Sequence, residues 1–158
     1  MSGYHTAQIC KNGHVITSYA DEYTYSKENY CSKCGTATIT HCPKCLSKIR
    51  GREIDYGYLG NYTAPAYCYN CGQAYPWTLD KLEATQELLA LDSILSTEEL
   101  NYLSSNLNSL LVDTPKTNLV ATKFKISLSK ISKVTASAIR DIVVDIASES
   151  AKKIIFGE

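Results

Sequence analysis

The chain carries no surplus of charge: 16 lysines and arginines balance 16 aspartates and glutamates over 158 residues. A balance of zero argues against a strongly basic nucleic-acid binder. With 20% charged and 44% hydrophobic residues, wholesale disorder is excluded as well. No apolar run approaches bilayer-spanning length, and the opening MSGYHTAQIC lacks the charged-then-apolar order of a secretory signal. No serine-nucleophile motif, phosphate-cradling glycine loop or H-E-x-x-H pattern is present, so nothing marks an enzyme. Turn residues are missing from one half only. Residues 78–158 contain one proline, Pro115, and one glycine, Gly157. A segment so poor in chain breakers is expected to form long helices.

What the chain does have is concentrated before residue 78. Residues 1–77 hold all seven cysteines, all three histidines and eleven of the twelve tyrosines. Most of the glycine and proline lies there too, which predicts short strands and tight turns. Two domains are expected, 1–77 and 78–158.

In the second half, helices are expected over about 78–92, 97–111 and 115–156. Thr78 reads as a cap, Ser96-Thr97-Glu98-Glu99 has capping-box form, and Thr114-Pro115 reads as N-cap followed by proline. Val120, Phe124, Leu128, Ile131, Val134, Ala138, Ile142 and Ile146 step by three or four, predicting one long final helix. A break near 132–135 is the alternative. Charge is also segregated. Residues 78–113 carry seven acids and one lysine, whereas 114–140 carry five lysines, Arg140 and no acid. Mutual packing of the two segments is the expected outcome, ahead of a basic helix meeting a membrane or nucleic acid.

The cysteines fall into four clusters: Cys10-x3-His14, Cys31-x2-Cys34, Cys42-x2-Cys45 and Cys68-x2-Cys71. One tight turn can aim both ligands of a cluster at one ion. An odd seven becomes eight once His14 is included, which makes two complete tetrahedral sets for two Zn2+. Gly35 and Gly72, after the second cysteine of their pairs, suit the positive φ that turns N–H groups toward thiolates. Sequential pairing gives Cys10, His14, Cys31 and Cys34 as one set, and Cys42, Cys45, Cys68 and Cys71 as the other. The spacers inside the sets are 16 and 22 residues, enough for a β-hairpin in each ribbon. A cross-braced arrangement usually has its middle clusters closer than the seven residues between Cys34 and Cys42. Iron is the minor alternative, since the segment around Cys68 and Cys71 is similar to a rubredoxin knuckle and four thiolates suit either metal. Ribbons of this size bury too little apolar surface to fold alone, so metal is expected to hold them.

The fold class expected is therefore α+β: tandem zinc ribbons followed by an all-α region. With both ligand sets full, the metals have no open position for catalysis. His41, beside Cys42, is expected to be a surface histidine, and His5 has no visible partner. The function expected is a non-enzymatic binding and assembly module acting on a protein partner, with helices for self-association into a homo-oligomer or for docking. Nucleic-acid binding is the alternative, through Lys44, Lys48, Arg50 and Arg52 with Tyr56, Tyr58 and Tyr62 as stacking surfaces.

The runs AQICKNGHVIT, CSKCG with CPKC, and YCYNCGQAYPWT resemble an uncharacterised bacterial family of small double-zinc-ribbon proteins. They cover residues 7–78; DTPKTNLVATKF and RDIVVDIASESAKKIIFG in the tail are similar too. The resemblance implies a bacterial, cytoplasmic protein with metal ligands at the eight positions named, and no assigned activity.

Overall fold

The computed structural model describes residues 3–56 and 60–157. The chain divides into two compact units, Met1–Asp80 and Lys81–Glu158.

The first unit is built from very short strands. β1 (Tyr4–Thr6), β2 (Gln8–Cys10), β3 (Val15–Thr17), β4 (Thr38–Ile39) and β5 (Arg50–Glu53) are joined by turns. β3, β2 and β4 form one antiparallel sheet in that order, and β1 pairs antiparallel with β5 in another. Strands of two to four residues cannot bury a sheet face by themselves. Their core is correspondingly small: Ala7, Ile9, Ile49, Tyr75 and Trp77, with the buried Cys42 and Cys68 among them. Tyr75 and Trp77 stack at 4.8 Å, and the Trp77 indole N–H donates to the Pro65 carbonyl at 2.9 Å.

Residues 48–52 show how the strand period sorts side chains. Lys48 and Arg50 are exposed and Arg52 is half-buried, while Ile49 and Gly51 between them are buried. Alternation of this kind points every second residue the same way. Gly51 is required at its place by space: a Cβ there would overlap the Ser18 carbonyl oxygen and lie 3.1 Å from that of His5.

α1 (Pro76–Leu91) opens with proline in the first turn, where the missing N–H costs nothing. Thr78 does not cap it; its hydroxyl donates to the Ala66 carbonyl at 2.9 Å. α2 (Thr97–Asn106) has the expected cap, with Ser96 accepting from the Glu99 N–H, and α3 (Asn108–Leu111) follows. α4 (Thr117–Lys130) starts two residues beyond Pro115.

The stretch 115–156 is not one helix. It breaks at Ile131–Ser132, where α5 (Lys133–Ile146) begins, and again at Ala147–Ser148, before α6 (Glu149–Phe156). Ser132 and Ser148 are both N-caps, accepting from the Thr135 and Ala151 N–H groups. The first break resets the helical phase. Val120, Phe124, Leu128 and Ile131 are buried as the periodicity predicts, but Val134 is 82% exposed and Ile139 and Val143 are buried in its place. α4 packs on α2, bringing Lys130 to Glu99 at 3.3 Å and Lys123 over the Tyr102 ring at 3.9 Å. Among the described residues no helix is long and apolar enough to cross a membrane.

Candidate metal centres and the cationic strand

Three turns of the first unit share one hydrogen-bond plan. In each, the first cysteine's N–H donates to the carbonyl five residues on, and its carbonyl accepts from the N–H four residues on. The pairs are Cys31–Thr36 with Gly35–Cys31, Cys42–Ser47 with Leu46–Cys42, and Cys68–Gln73 with Gly72–Cys68, at 2.7–2.9 Å. Isolated bridges close the flanks at Tyr30–Ala37, His41–Lys48 and Tyr67–Ala74. The residue after the second cysteine is left-handed every time: Gly35 at φ 74°, Leu46 at 64° and Gly72 at 74°. That conformation curls the turn so that both sulfurs face one point. Gly35 and Gly72 announce it in the sequence, whereas Leu46 conceals it.

The fourth turn differs in form and serves the same end. Cys10 ends β2, Gly13 bends the chain at φ 95°, and His14 leads into β3. The His14 N–H donates to the Cys10 sulfur at 3.3 Å, and Trp77 packs against Gly13 closely enough that an added Cβ would lie 3.0 Å from the Trp77 Cβ and 3.3 Å from the indole.

These turns converge in two groups, Cys10–His14–Cys31–Cys34 and Cys42–Cys45–Cys68–Cys71, with the donor atoms of each group within 4.8 Å of one another. The pairing is sequential. In the first group the Cys10 and Cys34 sulfurs are 3.7 Å apart, and His14 Nδ1 lies 3.5 Å from Cys10 Sγ and 3.6 Å from Cys31 Sγ. In the second, Cys42–Cys71 and Cys45–Cys68 are 3.7 and 3.6 Å. A tetrahedral ion with bonds of ~2.3 Å to sulfur and ~2.0–2.1 Å to nitrogen sets S···S edges of about 3.75 Å and S···N edges of about 3.55 Å. These five separations match such edges, and all four donors of each group lie within 4.8 Å of one another, so both groups fit a metal ion. Disulfides need sulfurs at ~2.05 Å and do not fit these separations.

The turns also bias the thiols toward their ligating form. The Thr36 N–H, with the Thr36 hydroxyl and the Asn12 amide, pulls Cys34 down to about 5. The Ser47 hydroxyl and N–H, with Asn70, do the same for Cys45, also to about 5. At Cys68 burial opposes ionisation, but the Cys71 and Asn70 N–H groups prevail and its pKa is lowered. Two sulfurs go the other way. The Gln73 N–H favours the Cys71 thiolate, yet burial and the neighbouring Cys42, Cys45 and Cys68 sulfurs push it up to about 11. Burial likewise raises Cys10. Without a metal, crowded sulfurs cannot all ionise. A divalent ion removes that conflict.

The other histidines stand outside both groups. His41 is exposed, its Nδ1 2.8 Å from the Thr40 hydroxyl. His5 has partners the sequence hides: Nδ1 lies 3.3 Å from Asp21 and Nε2 3.5 Å from Glu22, with the Tyr19 ring at 4.8 Å. Burial works against the Asp21 carboxylate, but the Thr6 N–H, its own N–H and His5 outweigh it and lower its pKa.

Residues 3–155 match a family described as "Uncharacterized protein conserved in bacteria (DUF2321)". The chain belongs to that family. Comparisons with curated proteins and with solved structures give no match. The family match spans the cysteine turns and the helices together, so neither part is a private addition to this chain.

The four basic residues singled out from the sequence are not equivalent. Lys44 is exposed on the turn between Cys42 and Cys45. Arg52 Nη2 donates to the Gly60 carbonyl at 2.6 Å. Lys48 and Arg50 line a shared recess with Tyr4, His5 and Tyr69. The Arg50 guanidinium lies over two rings, 4.4 Å from Tyr4 and 4.0 Å from Tyr69. These are not the tyrosines expected from the sequence. Tyr62 turns inward and its hydroxyl donates to the Arg50 carbonyl, while Tyr58 and the side chain of Tyr56 lie outside the described residues.

Proposed function

We propose that this chain is a non-enzymatic zinc-ribbon module of the cytoplasm, held together by two Zn2+, that docks a protein partner and uses its helices for self-association or docking. One observation carries the reading: each group gathers four protein donors within 4.8 Å of one another, so a tetrahedral ion bound there has no open position for substrate. Zinc is favoured over iron because the first group pairs three thiolates with an imidazole, a structural zinc set. Seven unpaired thiols suit a reducing compartment. The exposed Tyr4, Tyr69 and Arg50 have the composition that dominates protein interfaces.

Nucleic-acid binding is the second reading, and Arg50 between two exposed tyrosine rings is what favours it. It has fewer cations to draw on, since Arg52 is engaged by Gly60. Phosphate binding gains affinity with each cation it enlists.

Elemental analysis of the native protein tests the metal: two zinc per chain are expected, in a colourless solution. Affinity capture with and without nuclease tests the partner. Protein recovered equally in both arms supports the first reading; loss of all partners with nuclease overturns it. Light scattering at two concentrations tests self-association, against which a strict monomer counts.

A further inference from the structure

Arg50 is held unusually well for an exposed arginine. Its backbone is paired to Thr6 across β1 and β5, its carbonyl accepts from the Tyr62 hydroxyl, and its guanidinium is braced by the Tyr4 and Tyr69 rings. Both rings contact the guanidinium through their π-faces, which accept no conventional hydrogen bond and leave its N–H groups available to an anion. No hydrogen bond or ion pair to another described residue uses those N–H groups or the Lys48 ammonium. Lys48 projects from the same side of the extended segment two residues earlier. The recess between them measures about 210 Å³. That is below the ~300–1,000 Å³ of small-molecule clefts and is of a size to take one side chain. The carboxylates beside His5, Asp21 and Glu22, are turned to its ring, while Glu53 stands opposite Tyr4 in the strand pairing.

We propose that Arg50 and Lys48, braced by Tyr4 and Tyr69, form a receptor for a carboxylate side chain on an acidic segment of a protein partner. This rests on the docking function above and names the chemistry of its partner. A planar guanidinium accepts a carboxylate through two parallel N–H···O bonds, and Lys48 adds a second cation to the same oxygen atoms. Because the arginine is already fixed, binding forfeits little side-chain entropy. Between the two cations the buried Ile49 contributes an apolar patch to the recess wall.

The test is fluorescence anisotropy of a short labelled oligoglutamate peptide with the full zinc-loaded chain, alongside an oligothymidylate of equal length. Arg50→Ala should weaken peptide binding about tenfold, the usual worth of one charge-assisted contact. Arg50→Lys keeps the charge but loses the fork, so it should fall between; Lys48→Ala should lose a few-fold. Each variant is checked for two zinc per chain and an unchanged near-ultraviolet circular dichroism spectrum. Peptide binding that is indifferent to both Arg50 variants overturns the proposal. So does an oligothymidylate that binds more tightly and depends on Arg50. A wild-type chain that holds two zinc but ignores the peptide sinks this inference alone, whereas one without zinc sinks the function it rests on.

Discussion

Gly51→Ala is the sharpest probe of how the first unit is assembled. Gly51 is buried on β5, and an added methyl carbon would overlap the Ser18 carbonyl oxygen while lying 3.1 Å from both the His5 oxygen and the Ser18 carbonyl carbon. All of these atoms are backbone, so no rotamer change can clear them. The neighbouring hydrogen bonds resist movement: Ala7 N–H to Ile49 at 2.8 Å, Ala20 N–H to Thr6 at 2.8 Å and Arg52 N–H to Ser18 at 3.3 Å. Relief requires opening at least the last of these. Each such bond is worth ~1 kcal/mol net, and a buried carbonyl left without a donor costs ~1–3 kcal/mol more. The expected loss is therefore about 2–4 kcal/mol, read as a lower midpoint in chemical denaturation of the zinc-loaded protein. The control is Gly35→Ala, where a Cβ meets nothing within 4 Å and the only strain is the left-handed backbone at φ 74°. That change should cost no more than ~1–2 kcal/mol. If Gly51→Ala matched wild type within ~0.5 kcal/mol, the close strand-to-loop approach would be wrong.

Other consequences are as direct. Leu46→Gly should stabilise slightly, by less than ~1 kcal/mol, because it removes left-handed strain from a residue 73% exposed; a clear loss of stability in the same denaturation assay would show that the Leu46 side chain is held by contacts. Chelation should abolish the near-ultraviolet signal of Tyr75 and Trp77 while leaving the helices, since structural zinc contributes roughly 10–16 kcal/mol and the ribbon core is small. An intact spectrum after proven metal loss would refute that. Zinc affinity should rise with pH across neutrality, because Cys71, raised to about 11, must shed its proton to bind. It should fall more steeply once pH drops through the region near 5, where Cys34 and Cys45 also protonate. Competition with a chromogenic chelator across that range checks both, and a flat profile would contradict them.

The metal groups were legible in the sequence because their information is local. A C-x2-C turn needs only its own few residues to aim two sulfurs at one point, and glycine after the second cysteine marks the left-handed residue. Where that marker is missing, at Leu46, the turn forms anyway because the hydrogen bonds around Cys42 impose it. The helices were legible in type but not in phase. The break at Ser132 falls at the edge of the 132–135 alternative, whereas nothing marked the one at Ser148; each serine caps a new helix, and the first restart moves burial from Val134 to Ile139 and Val143.

By itself, then, the sequence determined the four cysteine turns and their grouping, the division of turn-rich from turn-poor halves and the α+β class. Those follow from spacing and from the backbone habits of glycine, proline and serine. Only the tertiary structure decided which distant residues meet. His5 finds Asp21 and Glu22, Arg50 comes to rest between Tyr4 and Tyr69, and Arg52 is drawn to Gly60 instead. The reason is physical: Tyr4 reaches Arg50 through the pairing of β1 with β5, and Tyr69 through the convergence of the Cys42 and Cys68 turns, interactions between segments far apart in the chain. The opening balance of zero charge is thus the sum of local arrangements, and one of them leaves two cations at the mouth of a recess.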